Sequence, residues 1–306
     1  MKFRIVKLVC LCVCVLASGA TFARAQDGAS KRMSVAVLDL GATEAGQRAA
    51  DELASALVKT SNFDLVNRAQ ARAAARGIGY AGSLNLTLQE ARDLGAAIGC
   101  DLYFTGEAHT LRRTSTSRAD YFESYASVFL VSADTGRLVL WESFNAESAT
   151  TPAEAEKAML AELRARAVRY AETISKAREA ERRERQLARE RASASAFEDE
   201  PEEGSPAAAG FRAPQPYRSL RPAYPETARR AAAEATVDAL VEVDADGEVK
   251  DIEIVRWAGY GLNEAVVSTV RQLHFRPAMR DGQAFPIRVL LRYNFRRPPD
   301  ENKGKE

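Results

Sequence analysis

Arg221-Pro222-Ala223-Tyr224-Pro225-Glu226-Thr227-Ala228-Arg229 opens the stretch that decides the fold. Residues 236–244 follow as an alternating run, with Val237, Ala239, Val241 and Val243 on one face and Thr236, Asp238 and Glu242 on the other. Leu240 alone breaks the polar face. Asp244-Ala245-Asp246-Gly247 is a turn sequence, and residues 249–255 return as a second strand. Leu262, Val266, Val270 and Leu273 recur at helical spacing. Asp281-Gly282 turns the chain again, and Ile287, Val289, Leu291, Tyr293 and Phe295 then alternate with Arg288, Arg292 and Asn294, Leu290 being the exception. Strand, strand, helix, strand predicts a small antiparallel ββαβ unit. Its last strand buries one face and carries long cations on the other.

Upstream of this unit the pattern changes three times. Residues 193–216 have no period. Glu198-Asp199-Glu200-Pro201-Glu202-Glu203-Gly204 is too acidic to bury itself, and Pro206, Pro214 and Pro216 stiffen the rest, so the expectation is a disordered, semi-extended linker. Residues 176–191 hold one large apolar residue, Leu187, among arginines and glutamates. Glu179 to Arg183 and Glu181 to Arg185 are favourable four-residue pairs, which predicts a solvated helix acting as a spacer. No second apolar seam repeats, so the coiled-coil signal is weak. Pro152 starts a longer helix in which Ala155, Met159, Leu163, Ala167, Tyr170 and Ile174 share one face.

Residues 34–40 form a strand that is apolar nearly throughout, as in a sheet covered on both sides. Leu53, Ala54 and Leu57 mark a helix over 47–60, residues 63–66 a short strand, and residues 70–76 an Ala- and Arg-rich helix. Thr87 with Glu90 three residues on is a capping box for a helix carrying Leu88, Ala91, Leu94 and Ile98, and Gly99 ends it. Residues 100–105 are the next strand, and 125–132 and 138–144 flank Ala133-Asp134-Thr135-Gly136-Arg137 as a hairpin. Strand and helix alternating before a hairpin predicts a mixed α/β sheet. The fold class expected for the chain is therefore α+β: an N-terminal mixed α/β domain over 33–175, a charged helix and disordered linker over 176–213, and a C-terminal antiparallel ββαβ domain over 214–297.

The chain has 306 residues, 46% hydrophobic and 28% charged, with a formal net charge of +1. Lys2, Arg4 and Lys7 precede an apolar run over 8–19, and Ala23-Arg24-Ala25 supplies small residues for cleavage. This is the pattern of a secretory signal over 1–25. The run is shorter than the roughly 20 residues a membrane span needs, and a retained inner-membrane anchor is the alternative. The signal holds four of the 43 basic residues and no acid, leaving 39 bases against 42 acids, a net −3. That balance excludes a nucleic-acid binder. Cys10, Cys12 and Cys14 lie within the signal, so only Cys100 remains and no internal disulfide is possible. The location expected is the periplasm.

Tyr224-Pro225 with Ala228, Gly247 in the first hairpin, Gly259-Tyr260-Gly261-Leu262 and Glu264-Ala265 at the helix start, Phe275-Arg276-Pro277-Ala278, and Asp281-Gly282 together resemble the C-terminal domain of the TonB family. The resemblance covers 214–297, about a quarter of the chain. It implies a periplasmic protein whose last strand pairs with an extended peptide of an outer-membrane TonB-dependent receptor, in energy-coupled transport. The partner-binding residues it implies are Phe285, Ile287, Arg288, Val289, Leu290, Leu291, Arg292 and Tyr293, with Tyr224 and Pro225 fixing the approach to the sheet. Strand addition supplies the physics: edge amides and carbonyls bind, side chains select. The competing account of Arg288 and Arg292 is that they protect an edge from aggregation.

Val35-Ala36-Val37-Leu38-Asp39, residues 63–68 and residues 94–106 resemble the N-terminal domain of TolB and related CsgG-like periplasmic domains, which are protein-contact modules. Against full TonB function stand the missing histidine-bearing membrane helix that couples to the ExbB and ExbD motor, and the missing proline-lysine spacer. An envelope assembly scaffold without transport coupling is therefore the alternative. Other envelope proteins are partners under either reading, and membrane contact requires a retained N-terminal segment.

No enzyme chemistry is legible. Residues 77–82 match a dinucleotide fingerprint in spacing, but an Arg- and Ala-rich helix, not a strand, precedes them. His109 and His274 are the only histidines and cannot build a usual zinc site with one thiol. Asp39 ends a buried strand, where a cap or turn role is expected. Neither a cofactor nor a metal is expected.

Overall fold

The computed structural model describes residues 32–60, 63–114, 119–194, 197–202 and 204–297. The secretory-signal reading of residues 1–25 lies outside the described residues. The first structural half contains β1 (Ser34–Val37), α1 (Glu44–Thr60), β2 (Asp64–Leu65), α2 (Arg68–Gly77), β3 (Leu86–Thr87), α3 (Leu88–Ile98), β4 (Leu102–Arg113), β5 (Tyr121–Ser132), β6 (Leu138–Ser148) and α4 (Pro152–Ala194). The second contains β7 (Glu198–Asp199), a 3-10 turn (Pro206–Ala208), β8 (Phe211–Arg212), β9 (Gln215–Pro216), α5 (Glu226–Ala231), β10 (Ala235–Val243), β11 (Val249–Trp257), α6 (Leu262–Val270), β12 (Phe275–Arg276), β13 (Ala278–Arg280), β14 (Gln283–Phe285) and β15 (Ile287–Phe295). The fold class is α+β.

The first sheet has the order β2-β1-β4-β5-β6. β1 runs parallel to β2 and β4, and β4, β5 and β6 are antiparallel. Strand alternation sends side chains to two faces, and each face has its own cover. Val35, Val37, Leu102, Phe104, Val128 and Leu130 pack under α1 and α4, meeting Leu53, Leu57, Met159, Leu163, Tyr170 and Ile174. Ala36, Leu38, Tyr103, Phe129 and Val131 face the other way, against Ala71 and Ala75 of α2, Ala91 and Leu94 of α3, and residues far downstream. The near-continuous apolar run at 34–40 is explained by these two covers.

The second sheet has the order β3-β11-β10-β15-β7. Val237, Ala239, Val241 and Val243 of β10 are fully buried with Leu262, Val266 and Val270 of α6. Its two outermost strands come from outside the ββαβ unit. β3 pairs antiparallel with the end of β11 (Arg256↔Thr87, Trp257↔Leu86), and β7 pairs parallel with the start of β15.

Two expectations are corrected here. The stretch 193–216 is no patternless linker: β7, β8 and β9 lie on β15, β13 and β12. Their partners lie some 60 to 90 residues away, so no local period announces them, and Arg280 answers Glu198 across 2.7 Å. The distal part of α4 is also more than a solvated spacer. Ala177 is buried in the first core, and Arg185 pairs with Asp134 in the β5–β6 turn. The described residues from Arg32 onward form one compact unit. Among the described residues no helix is long and apolar enough to cross a membrane.

Candidate functional site

β15 follows a tight hairpin of β13 and β14 and takes its register from β10. Asp281 (φ 51°) and Gly282 (φ 83°) form a two-residue loop with both central residues left-handed, the turn whose twist suits two antiparallel strands. Phe285 therefore lies on β14, paired with Ala278, and its ring packs 6.2 Å from Phe211. It is not on the last strand, where the sequence reading put it. Pro286 separates the two strands, since proline cannot donate to a ladder, and β15 starts at Ile287.

Along β15 the inward residues Ile287, Val289 and Phe295 are buried, and Leu291 and Tyr293 are half-buried. Arg288, Leu290, Arg292 and Asn294 occupy the opposite face, with Leu290 half exposed. Three of these four make polar pairs with the residue directly across on β10. Arg288 Nε donates to Glu242 at 3.0 Å, Arg292 donates Nε and Nη2 to the two Asp238 oxygens at 2.7 and 3.0 Å, and Thr236 Oγ1 donates to Asn294 at 2.8 Å. Asp238 is buried and Arg256 approaches it from β11 at 3.4 Å. The Arg292 guanidinium holds the Asp238 carboxyl below the usual carboxylate range, against the opposing effect of burial. The arginines read as flanking a partner are thus engaged first by their own sheet.

The backbone of β15 is used unevenly. One side pairs with β10 from Ile287 to Phe295. The other pairs with β7 at Ile287 and Arg288, where Glu198 N donates to Pro286 O at 3.3 Å. Among the described residues no strand pairs with residues 289–295 on that side.

Tyr224 and Pro225 sit away from this edge. Pro225 is the N-cap of α5, and the Tyr224 hydroxyl donates to Ala233 O at 2.8 Å and stands 3.3 Å from Ala228 O. Its ring lies 6.4 Å from Phe295. The pair ties α5 to the end of β15.

A second surface was missed by the sequence reading: the seam between the two sheets. Trp257 is fully buried, stacks on Phe129 of β5 at 6.0 Å and donates Nε1 to Gly136 O at 2.9 Å. The Tyr260 hydroxyl donates to Glu107 at 2.7 Å, and burial pushes that hydroxyl's pKa up. Trp141 Nε1 donates to Glu264 at 3.1 Å. Gly259, Tyr260 and Gly261 all have positive φ, and a Cβ on Gly259 would stand 2.4 Å from the Phe129 ring. An aromatic between two glycines was the available signal. The same stretch is the helix start the sequence predicts, with Gly261 as the N-cap of α6, and its glycines also bring the backbone against a ring.

The remaining candidates resolve simply. Asp39 accepts from Arg68 at 2.5 Å and Arg72 at 3.4 Å rather than capping a helix. Burial, aided by Asp101, pushes the Cys100 thiol up to about 12. His274 pairs with Glu248 at 2.9 Å, and His109 lies 3.7 Å from Glu107. Of the glycines at 77–82, Gly77 closes α2 and Gly79 and Gly82 follow it, and Tyr80 between them bonds Thr105 at 2.9 Å. Among the described residues no group of three or more His, Cys, Asp or Glu could hold a metal ion.

No curated protein matches the chain. Among solved structures it is similar to the C-terminal domain of TonB from Pseudomonas aeruginosa, at 21% identity, covering 30% of this chain and 92% of that one with a TM-score of 0.24. It is also similar to the hypothetical protein CT253 from Chlamydia trachomatis (11% identity, 46% and 98% covered, TM-score 0.32). The C-terminal domain of LpoB from Escherichia coli is a further likeness (15% identity, 39% and 87% covered, TM-score 0.27). Residues 221–296, the span of α5 to β15, match the family described as the Gram-negative bacterial TonB protein C-terminal.

Proposed function

We propose that this protein is a periplasmic, non-enzymatic adaptor that takes up an extended segment of another envelope protein along the outward edge of β15. The observation that carries the reading is the asymmetry of that strand. It is paired from end to end with β10 but only at Ile287 and Arg288 on its other side. An edge of this kind offers regularly spaced amides and carbonyls to a foreign strand, and the half-exposed Leu290 offers an apolar contact beside them. The match of residues 221–296 to the TonB C-terminal family favours an outer-membrane TonB-dependent receptor as the partner. The N-terminal α/β module, similar in sequence pattern to TolB and CsgG-like domains, would serve as a contact module.

A second reading has its own support. Trp257 and Tyr260 join the TonB-like module to the first sheet, and β7, β8 and β9 pair with β15, β13 and β12 of the module. A module held in this way has little reach, which favours a cell-envelope assembly scaffold without transport coupling. A photo-crosslinking residue at Leu290 or Asn294 of the full secreted chain, with Val168 on α4 as control, separates the readings. A receptor captured from the first two positions and not the third supports transport. Capture of an assembly protein there supports the scaffold. Capture only from Val168 overturns strand addition at β15.

A further inference from the structure

We propose that the β15 edge selects an acidic extended segment running parallel to it, and that residues 197–200 of the chain itself are the resident occupant which such a partner displaces. The inference rests on the reading of β15 as the partner-binding edge. β7 runs parallel to β15 with Glu198 opposite Ile287 and Asp199 opposite Arg288. Two cations answer its two acids: Arg280 Nη1 lies 2.7 Å from Glu198, and Arg288 Nη1 lies 3.6 Å from Asp199. The β15 edge thus already carries a strand whose direction and charge define what fits there.

The occupant is built to be replaceable. Its ladder covers two residues, against the roughly five or six of an ordinary strand. Its carboxylates are largely exposed, Glu198 at 53% and Asp199 at 82%, so water and salt weaken both ion pairs. A partner strand can therefore engage residues 289–295 first and then exchange with Glu198 and Asp199 at Arg280 and Arg288. Tethering gives the resident segment a high effective concentration, so it sets a threshold that a neutral or basic segment does not pass.

The test uses the full secreted chain and a fluorescein-labelled synthetic peptide with the chain's own sequence at 196–203. Wild type is compared with the double variant Glu198→Lys, Asp199→Lys, which turns the resident segment against Arg280 and Arg288. The variant alters no residue of β10, β11 or β15, and far-UV circular dichroism checks its fold. The expected result is peptide affinity at least tenfold tighter for the variant, lost when the peptide's acids become Gln and Asn. Equal affinity for both proteins overturns the resident occupant and leaves strand addition standing. An acid-free peptide that binds as well as the native one overturns the charge selectivity. Binding to neither protein removes this inference and strand addition together.

Discussion

Asp238 shows how one side chain ties the second sheet together. It is buried on β10, accepts two hydrogen bonds from Arg292 and one from Arg256, and its carboxyl is held below the usual range. A depressed folded-state value stabilises the fold above the ordinary carboxylate range, and that stabilisation is lost as pH falls through the folded value. Asp238→Asn keeps the shape but removes the charge, so it should cost about 1–3 kcal/mol at pH 7. The difference from wild type should shrink on acidification below about pH 4. Urea titrations of both proteins at pH 7 and pH 3 check this, and a gap unchanged between them contradicts it. Cys100 makes a second prediction at the same scale. A thiol pushed up to about 12 is nearly all protonated at pH 8, so it should react with disulfide reagents far more slowly than glutathione, and comparable rates would overturn the assignment.

At the scale of elements, what the sequence made legible was what is local. In α3 the Thr87–Glu90 capping box and the left-handed Gly99 stop are both present, because a cap is written within four residues. The alternation of β10 and β15 was readable for the same reason. β3, β7, β8 and β9 were not, since two residues have no period and their partners are distant. The candidate site was legible as a strand but not as an environment: nothing at Arg292 announces that Asp238, 54 positions earlier, accepts its hydrogen bonds. β3 gives a direct test of such a distant contact. Just before it, Asn85 donates to Thr236 O at 2.7 Å and Trp257 O at 2.9 Å, and accepts from Thr236 N at 3.0 Å. Asn85→Ala strips these three bonds and leaves part-buried backbone groups unpaired, a loss of about 1–3 kcal/mol. Hydrogen exchange should accelerate at Thr236, Leu86 and Trp257 while α1 stays protected. Unchanged exchange at Thr236 would show that β3 adds nothing to the second sheet.

At the scale of the whole molecule, the decisive feature is a core shared by two sheets that the sequence presents as separate modules. Phe129 and Val131 of the first sheet belong to the same buried cluster as Val241 and Trp257 of the second, Val266 of its helix α6 and Tyr260 of the loop between β11 and α6. A shared core couples unfolding, so the described unit should lose its structure in one transition. The chain's two tryptophans, Trp141 and Trp257, both line the seam, so intrinsic fluorescence reports the seam while far-UV circular dichroism reports both sheets. In wild type the two signals should change together across a urea titration. Tyr260 joins the modules from a loop outside either ladder, edge-on to Phe129 at 5.4 Å and bonded to Glu107. Tyr260→Ala should cost about 3–5 kcal/mol of coupling and retain both fluorophores. Its fluorescence transition should move to lower urea and separate from the circular dichroism transition, because the seam opens before the sheets melt. Two transitions already present in wild type would mean that the modules unfold independently, and the TonB-like module would then have the mobility that its docking otherwise denies it.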